Sequence, residues 1–224
     1  MSAPILALLL LQSPCLEPAS ARAAEFDLPG AAKLLEGASC TNADVARLYV
    51  RGLIDARAAF SQGGSPESLA PVRRAIAQLD AIARSQPGPA EIARLTLQAA
   101  AAAAQSERDE MRVYLDSAVR MEWVQRSAGQ AGAPIVMAAE VAGDFWLQMF
   151  RYEDARAAYQ YAQTAIGPTP RVLIGLARTA ARLGDSATAC ASYRTLIDVW
   201  PARSAVTSEI LEARTYFAQP ACAR

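Results

Sequence analysis

The sequence predicts an all-α protein of consecutive helical hairpins closed by a C-terminal capping helix. Three observations carry that prediction. Hydrophobic residues make up 53% of the 224 but aromatics only 7%, so much of the apolar content is alanine. Alanine is the strongest helix former, and its small side chain lets helices approach closely. Glycine and proline fall in short clusters, which suits helices with punctuated turns better than strands. Finally, residues 136–169 align with residues 170–203 at an offset of 34, with small, aromatic and proline positions recurring together.

At the N-terminus, Ile5 to Leu11 form an apolar run too short to span a bilayer. Ala21-Arg22-Ala23 follows, with small residues where signal peptidase requires them. The expectation is a signal peptide over residues 1–23, cut after Ala23, with a cut after Ala21 as second choice. The protein is then periplasmic or secreted. No Lys or Arg precedes Ile5, a departure from the usual charged start. Cys15 offers a lipoprotein alternative, which Pro14 disfavours because a small residue should precede the lipidated cysteine. Without the leader, Cys40, Cys190 and Cys222 remain, an odd number that allows one internal bridge.

Residues 24–132 read as degenerate hairpins. Helices over 44–61 and 67–84 are separated by Gly63-Gly64-Ser65-Pro66, and Ser85 to Pro89 ends the pair. A second pair spans 90–105 and 107–127, with Met111, Leu115 and Ala118 in the packing places of its second helix. Ser106 is expected to cap that helix, with Asp109 and Glu110 at the positive end of its dipole. Residues 133–203 hold two better-formed repeats, and 204–224 a capping helix and tail. The total is four hairpins and a cap, roughly nine helices. Trp123, Trp146 and Trp200 lie among apolar neighbours and are expected to pack.

In the two better repeats, Gly143 aligns with Ala177, Trp146 with Ala180, Ala155 with Ala189 and Tyr159 with Tyr193. Pro168 and Pro201 close the units because proline cannot continue a helix. Gly184-Asp185 supplies one interhelix turn, the glycine taking a positive φ and the aspartate capping the next helix. The matching turn carries Phe150 in place of the glycine. This order of small, alanine, aromatic and proline residues at a 34-residue period resembles the tetratricopeptide repeat. The resemblance implies a right-handed α-solenoid whose concave face is lined by the first helix of each hairpin.

That implied groove contains Met137, Glu140, Asp144, Leu147 and Gln148 from one unit, and Arg171, Ile174, Arg178, Ala181 and Arg182 from the next. Arg171, Arg178 and Arg182 are spaced by seven and four, so they share a helix face. Three guanidinium groups there can clasp a carboxylate, as some family members clasp acidic peptide tails. The competing reading pairs those arginines with Glu140 and Asp144 across the repeat interface.

Composition limits the chemistry. Histidine is absent, which removes Ser–His and Cys–His nucleophile pairs and histidine metal sites. Lys33 is the only lysine, and no G-x-x-x-x-G-K loop occurs. With 22 basic and 22 acidic residues there is no cationic excess for nucleic acid. No later apolar run approaches a membrane span. No catalytic residue, metal or cofactor is assigned. An antiparallel capping helix should return Cys222 to the end where Cys190 begins its helix, so a Cys190–Cys222 bridge is expected, with Cys40 left over. The leading functional expectation is an interaction scaffold holding a protein or peptide partner. A structural subunit of a larger assembly comes second, and a carboxylate enzyme last.

Overall fold

The computed structural model describes residues 14–38, 40–200 and 206–222. It is all-helical, with eleven α-helices among the described residues. Two compact units divide the chain, one ending at Val136 and the other beginning at Met137.

The first unit holds α1 (Leu16–Ala24), α2 (Leu28–Leu35), α3 (Asp44–Ser61), α4 (Pro66–Ser85), α5 (Pro89–Ala104) and α6 (Arg108–Ser127). Proline opens α4 and α5, where its missing N–H costs nothing. Twelve of the sixteen residues of α5 are buried, including all of Ala99 to Ala104. Alanine on every side lets α3, α4 and α6 all pack on this one helix. Gly52 of α3 faces Leu97 of α5 so closely that a Cβ would overlap the leucine. Met111, Leu115 and Ala118 point α6 inward as expected, each 1% exposed or less. Trp123 departs from expectation, being 55% exposed on the outside of α6.

The second unit holds α7 (Ala138–Gln148), α8 (Tyr152–Ile166), α9 (Pro170–Arg182), α10 (Ser186–Val199) and α11 (Ser208–Phe217), followed by a short 3₁₀ turn at Pro220–Cys222. Packing runs between neighbours, with α8 set against both α7 and α9, and α10 against both α9 and α11. Tyr159 of α8 occupies the space left by two glycines, Gly143 of α7 and Gly175 of α9; a Cβ at either would run into its ring.

Five hairpins pair α1 with α2, α3 with α4, α5 with α6, α7 with α8 and α9 with α10. One more precedes the four expected, because residues 16–35 fold as a helical pair. All five turns close alike. The residues at the turn, Phe26, Gly63, Ser106, Phe150 and Gly184, all have φ between 61° and 77°. In each, the following N–H reaches the carbonyl five residues back: Asp27 to Arg22, Gly64 to Ala59, Glu107 to Ala102, Arg151 to Trp146 and Asp185 to Ala180. This Schellman closure satisfies the carbonyls at the end of the first helix. Ser106 is therefore the left-handed residue that ends α5 and not the cap of α6. The cap position of α6 is Glu107, without a side-chain bond, while Asp109 and Glu110 do lie in its first turn. At the last turn Asp185 accepts from the Thr188 N–H at 3.0 Å, as expected.

Cys190 is bonded to Cys222, the pair singled out from the sequence, and fastens α10 to the tail beyond α11. Cys40 is not left over: it is bonded to Cys15, which lies within the expected leader. The apolar run Ile5 to Leu11 lies outside the described residues. Ala19 and Ala23 are buried, so α1 has a packed face.

Candidate functional site

The six polar residues among the ten expected to line a groove all belong to the second unit, and the structure sorts them into three kinds. Glu140 and Arg171 are buried, at 4% and 7% exposure. Glu140 accepts the Met137 N–H at 2.9 Å and so holds the start of α7. Arg171, in the first turn of α9, donates to Asp144 of α7. Both residues serve the interior. Met137 and Ile174, also placed in the groove by the resemblance, are core residues exposed by 2% each.

Asp144 and Arg178 form the second kind, half-buried and paired. Asp144 accepts from Arg171 on one oxygen and from the Tyr159 hydroxyl, at 2.6 Å, on the other. Arg178 of α9 turns to α11, where its Nε and Nη2 grip Glu212 at 2.9 and 2.6 Å. The Tyr193 hydroxyl donates to the same carboxylate at 2.7 Å. Two matched networks result, each joining a tyrosine, a carboxylate and an arginine. Of the pairings expected between these arginines and Glu140 or Asp144, Arg171–Asp144 forms, the long Arg171 side chain reaching Asp144 from the start of α9, while Arg178 turns instead to Glu212.

A register explains the arrangement. Arg178 and Glu212 are 34 residues apart, and Asp144 lies 34 before Arg178. The same helix position thus carries acid, base and acid on α7, α9 and α11. On α11 the acid of this series is Glu212, within the segment expected to be a cap.

The two tyrosines and Glu212 feel their neighbours electrostatically. Burial, with the neighbouring Asp144 carboxylate, pushes the Tyr159 hydroxyl well above the usual tyrosine range. Burial and Glu212 push Tyr193 up as well. Partial burial pushes the Glu212 carboxyl upward, but the bonds from Arg178 and Tyr193 outweigh it and hold the group below its ordinary value. Both tyrosines therefore stay protonated and Glu212 stays ionised at neutral pH. Among the described residues no cluster of three or more potential ligands is positioned to hold a metal ion. Among them, too, no helix is long and apolar enough to cross a membrane.

Gln148 and Arg182 are the third kind. They are exposed, lie 34 residues apart at the ends of α7 and α9, and have no hydrogen-bond or ion-pair partner among the described residues. Beside them the turn from α7 to α8 lifts Phe150 into solvent at 73% exposure, with its ring edge-on to Tyr152 at 6.3 Å. Arg151 lies over the Trp146 ring at 5.7 Å. Sequence reasoning missed Phe150 as a surface feature, treating it only as a missing glycine. Its signal was present: an aromatic where the turn geometry favours glycine.

Comparison with protein-family models, with curated proteins and with solved structures returned no match for this chain. The likeness to tetratricopeptide repeats therefore stands on the residues themselves.

Proposed function

We propose that the protein is a non-enzymatic scaffold of the bacterial envelope, built as a right-handed tetratricopeptide-like α-solenoid, that holds a peptide or helical segment of a protein partner. The observation that carries the proposal is that Gln148 and Arg182, at the ends of α7 and α9, stand exposed and unpaired while Asp144, Arg171, Arg178 and Glu212 are paired with one another. Those pairings fix the spacing of α7, α9 and α11, and the strip of Gln148 and Arg182 leaves polar groups free to meet a ligand. Arg182 supplies a forked donor suited to a carboxylate of the partner. The Cys190–Cys222 disulfide suits an oxidising compartment and so favours export. A cut after Ala23 would release α1 and separate Cys40 from Cys15.

A site-specific photo-crosslinker tests the reading. Placed at position 181, beside Arg182, it should capture one envelope protein through a defined peptide, and that capture should be lost in R182A and in Q148A. Placed at exposed Gln160 on α8, it should capture nothing. Equal capture at both positions, or none at 181, overturns the groove.

A second reading, a structural subunit of a larger assembly, draws on α6 instead. There Val113, Trp123 and Val124 are 59%, 55% and 54% exposed. Such an apolar surface favours contact with another chain. Concentration-dependent sedimentation that V113E abolishes would move this reading ahead.

A further inference from the structure

A cleft of about 450 Å³ opens in the first unit between α2, α3 and α4, a volume suited to a small molecule. Its walls combine both signs of charge with an apolar floor. Arg47, Arg51 and Asp55 come from α3, Arg74 from α4 and Glu36 from the end of α2, while Ala32, Leu48, Pro71 and Ala75 supply carbon surface. The residues keep helical spacing: 47, 48, 51 and 55 on one helix, and 71, 74, 75 and 78 on the other.

The charged groups differ in how far they are already used. Arg47 is committed to the fold, donating to the Leu35 and Cys40 carbonyls at 2.9 and 2.8 Å and to Asp44 at 2.8 Å. Arg51 and Asp55 make a loose pair at 3.6 Å, with the Arg51 side chain 63% exposed. Arg74 and Glu36 have no partner among the described residues. They line one cleft with opposite charges and yet do not pair with each other.

We infer that this cleft binds a zwitterionic amino acid with an apolar side chain. Its carboxylate meets the guanidinium groups of Arg74 and Arg51, which can take it bidentately. Its ammonium meets Glu36, and its side chain lies on Leu48, Pro71 and Ala75. A ligand of one charge would leave either Glu36 or Arg74 facing a like charge or nothing. This site is separate from the partner-binding strip of the second unit and does not depend on it.

Calorimetric titration of the full chain with leucine tests the site, with 4-methylpentanoate and 3-methylbutylamine as probes that each lack one charge. Leucine should bind at least about tenfold more tightly than either, the effect expected of one lost charged hydrogen bond. R74Q should weaken leucine about tenfold while leaving the amine unchanged, and E36Q should weaken leucine while leaving the acid unchanged. R112Q, on the exposed face of α6, should change nothing. Circular dichroism checks that each variant is folded, and R51Q stands in if R74Q is not. No leucine binding overturns the inference. So does 4-methylpentanoate binding as tightly as leucine with E36Q silent, which would make the cleft a simple anion site.

Discussion

Tyr159 and Tyr193 sit 34 residues apart at the same place in two successive hairpins, yet they are held differently. Tyr159 lies between two glycines and gives its hydroxyl back to Asp144 of its own hairpin. Tyr193 leans on Tyr216 at 4.7 Å between ring centres and gives its hydroxyl forward to Glu212 of α11. The charged partners differ in burial too. The Arg171 side chain is 8% exposed, whereas Arg178 and Glu212 are 37% and 35% exposed. One repeat position thus serves two purposes: the first network locks two hairpins together, and the second recruits the terminal helix.

The largest break in this symmetry should come from truncating the tyrosines. Tyr159→Ala empties a site at 1% exposure that two glycines cannot refill, and should cost about 3–5 kcal/mol in denaturant unfolding. Tyr193→Ala should cost less, because α11 can shift toward the gap. Equal losses would mean that the glycines do not define the first site.

Removing the acids sharpens the contrast. Asp144→Asn weakens a charged hydrogen bond to the buried Arg171 guanidinium and should cost about 1.5–3 kcal/mol. Glu212→Gln strips a pair that is more than a third exposed and screened by solvent, so the loss should be about 1 kcal/mol or less. The pH dependence follows the same pair. Because the folded Glu212 group lies below its unfolded value, its contribution is present above the unfolded value of 4.5 and fades as pH falls through the lower folded value. Wild type should therefore lose stability on acidification by a margin that E212Q lacks, measured as unfolding free energy against pH.

The bridges offer a comparison of intermediate size. Cys190–Cys222 closes a separation of 32 residues and Cys15–Cys40 one of 25. Reduction of the first, or C222S, should cost about 2–4 kcal/mol and loosen α11. Hydrogen exchange should then rise in Ser208–Phe217 while α7 stays protected. Uniform loosening would show that α11 is not a separable cap.

Helix positions were largely legible from proline, glycine and apolar spacing. The expected helix over 44–61 coincides with α3, and 67–84 falls within α4. The α1–α2 pair was not legible, because an apolar run followed by small residues reads as a leader whether or not the residues beyond it fold. Pairing within the candidate site was legible only in part. The arginines were found because they share a face, but a pattern of period 34 says nothing about which way a long side chain turns. Glu212 would have emerged had the column been carried on into 204–217, which was read as a cap outside the repeat. Turn chemistry misled in a similar way: glycine marks the left-handed position in only two of the five hairpins.

That last point gives the smallest and most discriminating prediction. Gly184 and Phe150 hold the same turn position, with φ of 77° and 61°. An L-residue in this region costs about 1–2 kcal/mol, which glycine avoids. Glycine in turn adds freedom to the unfolded chain, returning about 0.4–1 kcal/mol. Phe150→Gly should therefore stabilise the second unit by about 1 kcal/mol or less, and Gly184→Phe should destabilise it by a similar amount. A phenylalanine kept in solvent at a strained position makes sense if its ring is used, since strain of this kind gathers at functional sites. F150G should then raise the unfolding midpoint while lowering crosslinking from position 181. If F150G raises stability and leaves capture intact, the ring lies outside the binding surface, and the strip of Gln148 and Arg182 must act without it.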